Sequence, residues 1–141
     1  MKILVDTSVW IDFFNKSGSS DAEILSRLID SGAGICLCPI IYQEILQGIK
    51  DDNIFNDVKS ILSSYPMLNT DILKITDLSI NLYRTLRKQG ITIRKSVDVL
   101  IAAYAVSENA YLLHKDRDFA QISASSGLKI YKYDKEIELK N

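Results

Sequence analysis

An α/β fold with a mostly parallel sheet is what this 141-residue sequence predicts. Short aliphatic runs of strand length alternate with longer segments of helical periodicity, the order that successive βα units leave in a chain. Two of these runs, Ile3-Leu4-Val5 and Tyr111-Leu112-Leu113-His114, are followed closely by an aspartate, Asp6 or Asp116. In parallel sheets, functional groups collect beyond the carboxyl ends of the strands. The length fits a single domain, 1–141, able to bury a core without disulfides or a structural metal.

The elements follow in order. Ile3-Leu4-Val5 reads as a buried first strand. Thr7 or Ser8 suits the cap of a helical turn through Phe14. Asn15–Ser20 reads as a polar loop. Asp21 is the expected cap of a helix with Ile24, Leu25, Leu28 and Ile29 on one face, ended by Gly32 and Gly34. Ile35–Cys38 reads as a second strand, and Pro39 suits the first turn of the next helix. Asp51 and Asp52 open another helix. Tyr65–Leu68 is a candidate third strand. A long helix runs from about Ile72 or Lys74 to Gln89, with Gly90 as its C′ residue. Ser96 is the expected cap of a helix over Val97–Glu108 that is apolar on nearly every side, as a central helix is. Tyr111–His114 reads as a fourth strand, Asp118–Ser125 as a short helix and Leu128–Tyr133 as a last strand.

Composition removes several function classes. The chain is 47% hydrophobic and 25% charged, with a net charge of −1. This is ordinary for a globular protein and lacks the strong positive charge of a general nucleic-acid binder. No apolar run reaches the length of a membrane span, and the N-terminus has no signal-peptide pattern, so a cytoplasmic location is expected. One histidine, His114, excludes a multi-His metal site. Cys36 and Cys38 stand alone and read as buried thiols.

The carboxylates carry the chemistry. Each has a structural reading by itself. Asp6 suits a helix cap, Glu44 the polar edge of its helix, and Asp98 the first turn of the apolar helix, where the dipole favours it. Asp116 or Asp118 suits a cap for the helix near Phe119. Together they stand where apolar elements begin or end, at positions an α/β fold brings to one edge. Crowded carboxylates repel and take up protons unless a cation joins them. Hard oxygen ligands without His or Cys select Mg²⁺ or Mn²⁺. A basic stretch, Arg84, Arg87, Lys88, Arg94 and Lys95, leads up to Asp98, and Lys115 and Arg117 flank Asp116. Such cations suit a phosphodiester held beside an anionic metal site.

Four segments carry a resemblance. Asp6-Thr7-Ser8-Val9-Trp10-Ile11, Gln43-Glu44-Ile45-Leu46-Gln47-Gly48, Ile93 to Ala103 around Asp98, and Leu112 to Phe119 around Asp116 resemble, in order and spacing, the four motifs of the PIN-domain family and specifically its VapC-type toxins. The resemblance implies a three-layer α/β/α sandwich and a Mg²⁺- or Mn²⁺-dependent endoribonuclease acting on tRNA or rRNA. It implies catalytic roles for Asp6, Glu44, Asp98 and Asp116. It places metal on Asp6, Asp98, Asp116 and Asp118 and the motif hydroxyl on Thr7 or Ser8 as a substrate contact, while the basic stretch itself offers Arg87, Arg94 and Lys95 as further substrate contacts. It also implies a homodimer, silenced by a cognate VapB-like antitoxin. Two other classes remain open. One is a PIN-like module that binds RNA or protein without cutting. The other is a phosphotransferase with Asp6 as nucleophile, although a haloacid-dehalogenase-like motif needs a second aspartate where Ser8 stands.

Overall fold

The computed structural model describes residues 1–132. Its elements are β1 (Lys2–Val5), α1 (Thr7–Phe14), α2 (Ser20–Asp30), β2 (Gly34–Cys36), α3 (Pro39–Gln47), α4 (Asp52–Leu62), α5 (Ile72–Lys88), α6 (Ser96–Ser107), β3 (Tyr111–Leu113), α7 (Arg117–Ser125) and β4 (Lys129–Ile130). The four strands form one parallel sheet in the order β2-β1-β3-β4. From β1 the chain moves to one side to make β2. From β3 it moves to the other side to make β4. The reversal point therefore lies between β1 and β3, where a parallel sheet opens a crevice at its carboxyl edge. Ile3, Leu4 and Val5 pair with Tyr111, Leu112 and Leu113. The Asp6 amide continues that ladder to the Leu113 carbonyl at 2.9 Å, so Asp6 emerges in the crevice itself.

Both neighbours of β1 are strands, and Ile3, Leu4 and Val5 are buried on both faces, as continuous aliphatic runs in parallel sheets are. Helices α1, α2 and α3 pack together, as do α5, α6 and α7. The result is the predicted α/β/α sandwich. Helix α6 buries Val99, Ile101 and the run Ala102 to Ala105, which accounts for its apolar circumference. Trp10, fully buried on α1, stacks on Phe14 and meets Phe13 and Tyr65 edge-on or tilted. Cys36 and Cys38 are buried free thiols, as expected. No helix among the described residues is long and apolar enough to cross a membrane.

Helix ends set the directions of the connections. At the end of α5, Gly90 has φ +79°, its amide bonds Arg87 O at 3.0 Å, and the Ile91 amide bonds Leu86 O at 3.0 Å. This is a Schellman turn, and its left-handed residue is best supplied by glycine. The same turn ends α6, with Asn109 at φ 53° and Ala110 N bonded to Ala105 O at 2.8 Å. The first turn aims residues 91–95 at the crevice; the second launches β3.

Several boundaries depart from the sequence reading. Asp6, rather than Thr7 or Ser8, occupies the N-cap position of α1, because the two hydroxyls bond carboxylates instead. Ser19, not Asp21, caps α2 by accepting from Ala22 N. Ser96 is the first residue of α6, and Lys95 holds the N-cap position. Residues 65–68 make no strand. Pro66 offers no N–H, and the segment makes only an isolated bridge between Leu37 and Met67. Of the expected last strand, Lys129 and Ile130 pair, while Tyr133 lies outside the described residues.

Leu112, fully buried beside the crevice on β3, is expected to lose about 2–5 kcal/mol of stability on replacement by Ala. Ile61→Ala on the exposed side of α4 should change it by no more than about 0.5 kcal/mol. Urea unfolding of the two variants checks the assignment of the core.

Candidate active site

A cleft of about 720 Å³ opens at the carboxyl ends of β1 and β3, and its walls include Asp6, Thr7, Ser8, Glu44, Arg94, Lys95, Asp98, Lys115 and Asp116. Its four acids come from four places in the fold. Asp6 follows β1. Glu44 projects from α3 beside the buried Ile41 and Ile45. Asp98 lies in the first turn of α6. Asp116 caps α7, its Oδ1 accepting from the Asp118 amide at 3.0 Å.

The hydroxyls after β1 orient the acids around them. Thr7 Oγ1 donates to Glu44 Oε1 at 2.8 Å, tying α1 to α3. Ser8 Oγ donates to Asp6 Oδ2 at 2.8 Å. Burial raises the Asp6 carboxyl above the usual range, and the Ser8 hydroxyl opposes that shift. Lys115 lines the cleft while paired to Asp12 Oδ2 at 2.6 Å, which braces the β3–α7 turn against α1.

Asp98, Asp116 and Asp118 each offer an oxygen within 4.8 Å of the others. Asp98 and Asp118 are only 7% and 6% exposed. The Oδ2 atoms of both are buried without a hydrogen-bond partner among the described residues. Burial first, then the charges of Asp6 and Asp116, push Asp98 up to about 6. Buried carboxylate oxygens with no donor are costly unless something positive meets them. The fit to a hard divalent cation rests on these orphaned oxygens and on an all-oxygen donor set. Thiolate ligation is absent from the picture, since burial holds Cys36 and Cys38 as thiols, pushed up to about 11 and about 12.

The structure thus gathers most of the predicted site and redraws part of it. Asp6 lines the cleft and its charge reaches Asp98, but it stands outside the close group of three acids. Arg94 and Lys95 reach the cleft. Arg87 does not: it is exposed on α5, with its guanidinium 6.0 Å from the Tyr83 ring. Arg84 lies by a separate shallow groove with Tyr83 and Ser96. His114 packs on Phe119, centroids 5.2 Å apart, in the structural role expected of it. Gln47 and Ile11 also line the cleft without having been singled out. The available signal was helical spacing, three residues beyond Glu44 and four beyond Thr7.

A parallel sheet whose reversal point holds a close cluster of carboxylates, flanked by arginine and lysine, defines the class of this protein. The model of the PIN domain matches residues 3–125. Ribonuclease VapC11 of Mycobacterium tuberculosis is 36% identical over 128 residues, covering 90% of this chain and 96% of that protein. Ribonuclease VapC1 of Methanocaldococcus jannaschii is 32% identical over 133 residues, covering 92% and 87%. Among solved structures, VapBC2 of Rickettsia felis, bound to a promoter DNA fragment, superposes with TM-score 0.74 at 22% identity, covering 95% of this chain and all of that one. The chain belongs to the PIN domain family, among the VapC ribonucleases.

The raised Asp98 carboxyl sets a pH dependence in metal-free protein. Its folded pKa of about 6 exceeds the unfolded value, so the native state holds the extra proton in between. The stability contributed by that proton is full below about pH 4 and is lost as pH rises through about 6. Asp6 shifts in the same direction. In chelator, the unfolding free energy is therefore expected to fall across this window, and Asp98→Asn should remove on the order of 1 kcal/mol of the fall. Urea unfolding at a series of pH values tests this; parallel profiles for the two proteins would refute the environment described for Asp98.

Proposed function

We propose that this protein is the toxin of a type II toxin–antitoxin system, a divalent-metal-dependent endoribonuclease that hydrolyses phosphodiester bonds in tRNA or rRNA. The observation that carries the proposal is the close group of Asp98, Asp116 and Asp118 at a cation-rimmed cleft, in which Asp98 Oδ2 and Asp118 Oδ2 are buried and accept no hydrogen bond. The relatives are named ribonucleases, and the fold neighbours include a toxin–antitoxin complex and a member of the VapBC family of toxin–antitoxin systems. Asp98, Asp116 and Asp118 would hold the cation, Mg²⁺ or Mn²⁺, with Asp6 joining directly or through water. When bound, the cation supplies Lewis acidity toward the scissile phosphate and acidifies a water.

The chain's own groups do the rest. Arg94, Lys95 and Lys115 attract the phosphate and hold it at the cleft. Ser8 holds the Asp6 carboxylate and Thr7 holds that of Glu44, so that each is kept in one orientation at the cleft. Preset orientation of this kind lowers the barrier because nothing has to reorganise during the reaction. A homodimer and a cognate VapB-like antitoxin are the partners proposed, RNA the substrate.

Asp6→Asn and Asp98→Asn are each expected to lower cleavage of cellular RNA by about a hundredfold or more while circular dichroism stays native. EDTA should stop the wild-type reaction. Wild-type protein that binds RNA with Mn²⁺ yet never cuts it would establish a binding module instead. Labelled phosphate appearing on Asp6 would establish a phosphotransferase.

A further inference from the structure

Asp116 and Asp118 already share a cation supplied by the chain. Arg94 sits in the segment aimed by the Schellman turn at Gly90, between the buried Ile93 and the N-cap residue of α6. Its Nη2 lies 3.7 Å from Asp116 Oδ1, and its Nε lies 3.5 Å from Asp118 Oδ2. The second of these oxygens is one of the two that lack a hydrogen bond. Both belong to the three-carboxylate group with Asp98. A guanidinium and a divalent ion are therefore drawn to the same oxygens, and their charges repel each other.

We propose that Arg94 is the counter-cation of the metal-free cluster and competes directly with the divalent ion, so that this one side chain sets the metal affinity of the site. The proposal rests on the assignment of Asp98, Asp116 and Asp118 as the cation site. The geometry suits displacement. Both contacts exceed hydrogen-bond length, and the Arg94 side chain is 72% exposed, so the pairing is weak and its stem is free to swing. Three hard oxygens bind a divalent ion far better than they bind an exposed guanidinium. Lys95 provides the internal comparison. It carries the same charge, lines the same cleft and its charge reaches Asp98, yet it makes no ion pair with Asp116 or Asp118 among the described residues.

The test is calorimetric titration of RNA-free protein with MnCl₂, which reads binding rather than turnover. Arg94→Gln is expected to tighten Mn²⁺ binding roughly two- to tenfold, the scale of one or two exposed ion pairs. Arg94→Lys, which keeps the charge and loses the planar fork, should fall between that variant and wild type. Lys95→Gln should tighten binding less than Arg94→Gln. Mn²⁺ binding by Arg94→Gln no tighter than wild type overturns the competition, as does an equal gain in Lys95→Gln, which would reduce the effect to net charge. Asp98→Asn separates the two levels of the claim. Its loss of Mn²⁺ binding supports the site, whereas wild-type affinity in that variant removes the site assignment and the competition with it.

Discussion

Carboxylate crowding at one sheet edge is the constraint around which this molecule is arranged. Asp6, Asp98 and the Asp116–Asp118 pair come from three separate segments, and Asp6, Asp98 and Asp118 are buried. Without positive charge, such a set takes up protons or destabilises the native state. The protein tolerates it because three different parts of the fold fix these acids. The β1–β3 ladder holds Asp6, the first turn of α6 holds Asp98, and the cap of α7 holds Asp116 and aligns Asp118 behind it. What remains open is charge compensation, and the fold answers with a rim of cations around an all-oxygen cluster.

Order of strands decides where this happens. The chain reverses direction across the sheet between β1 and β3, so a crevice forms there at the carboxyl edge. Two Schellman turns then do the aiming. The one after α5 sends Arg94 and Lys95 to the crevice and leaves Arg84 and Arg87 behind on the helix surface. The one after α6 returns the chain into β3, at whose end Lys115, Asp116 and Asp118 follow in quick succession. Backbone geometry, rather than any single strong contact, thus brings acids and bases into one cleft. Their proximity also makes the site electrostatically coupled: the charge of Asp6 contributes to the raised Asp98 carboxyl, and Arg94 is shared between two acids.

Much of this was legible in the sequence, for identifiable reasons. Aliphatic runs ending in aspartate announced β1 and β3, because burial on both faces of a parallel strand leaves a continuous apolar signature. The all-round apolar α6 announced its central place. The four acids were legible as an ordered set, though not which three would cluster, since the distances among them depend on turns between elements. Caps were misread where two polar residues competed: Ser19 against Asp21, and Lys95 against Ser96. Thr7 and Ser8 were misread as caps because their true partners, Glu44 and Asp6, are visible only in space. Arg87 was placed with the site because it is close in sequence to Arg94. The glycine turn that separates them in space, from Leu86 to Ile91, is too short to redirect a reading based on charge runs.

The central claim is that the cluster of Asp98, Asp116 and Asp118 exists to hold a divalent cation. Anomalous diffraction from crystals grown with Mn²⁺ tests it most directly. The account predicts a strong anomalous peak among the oxygens of these three aspartates, with the Arg94 guanidinium moved away from Asp116 and Asp118. No peak there, or a peak elsewhere while Arg94 still bridges the two acids, would contradict it.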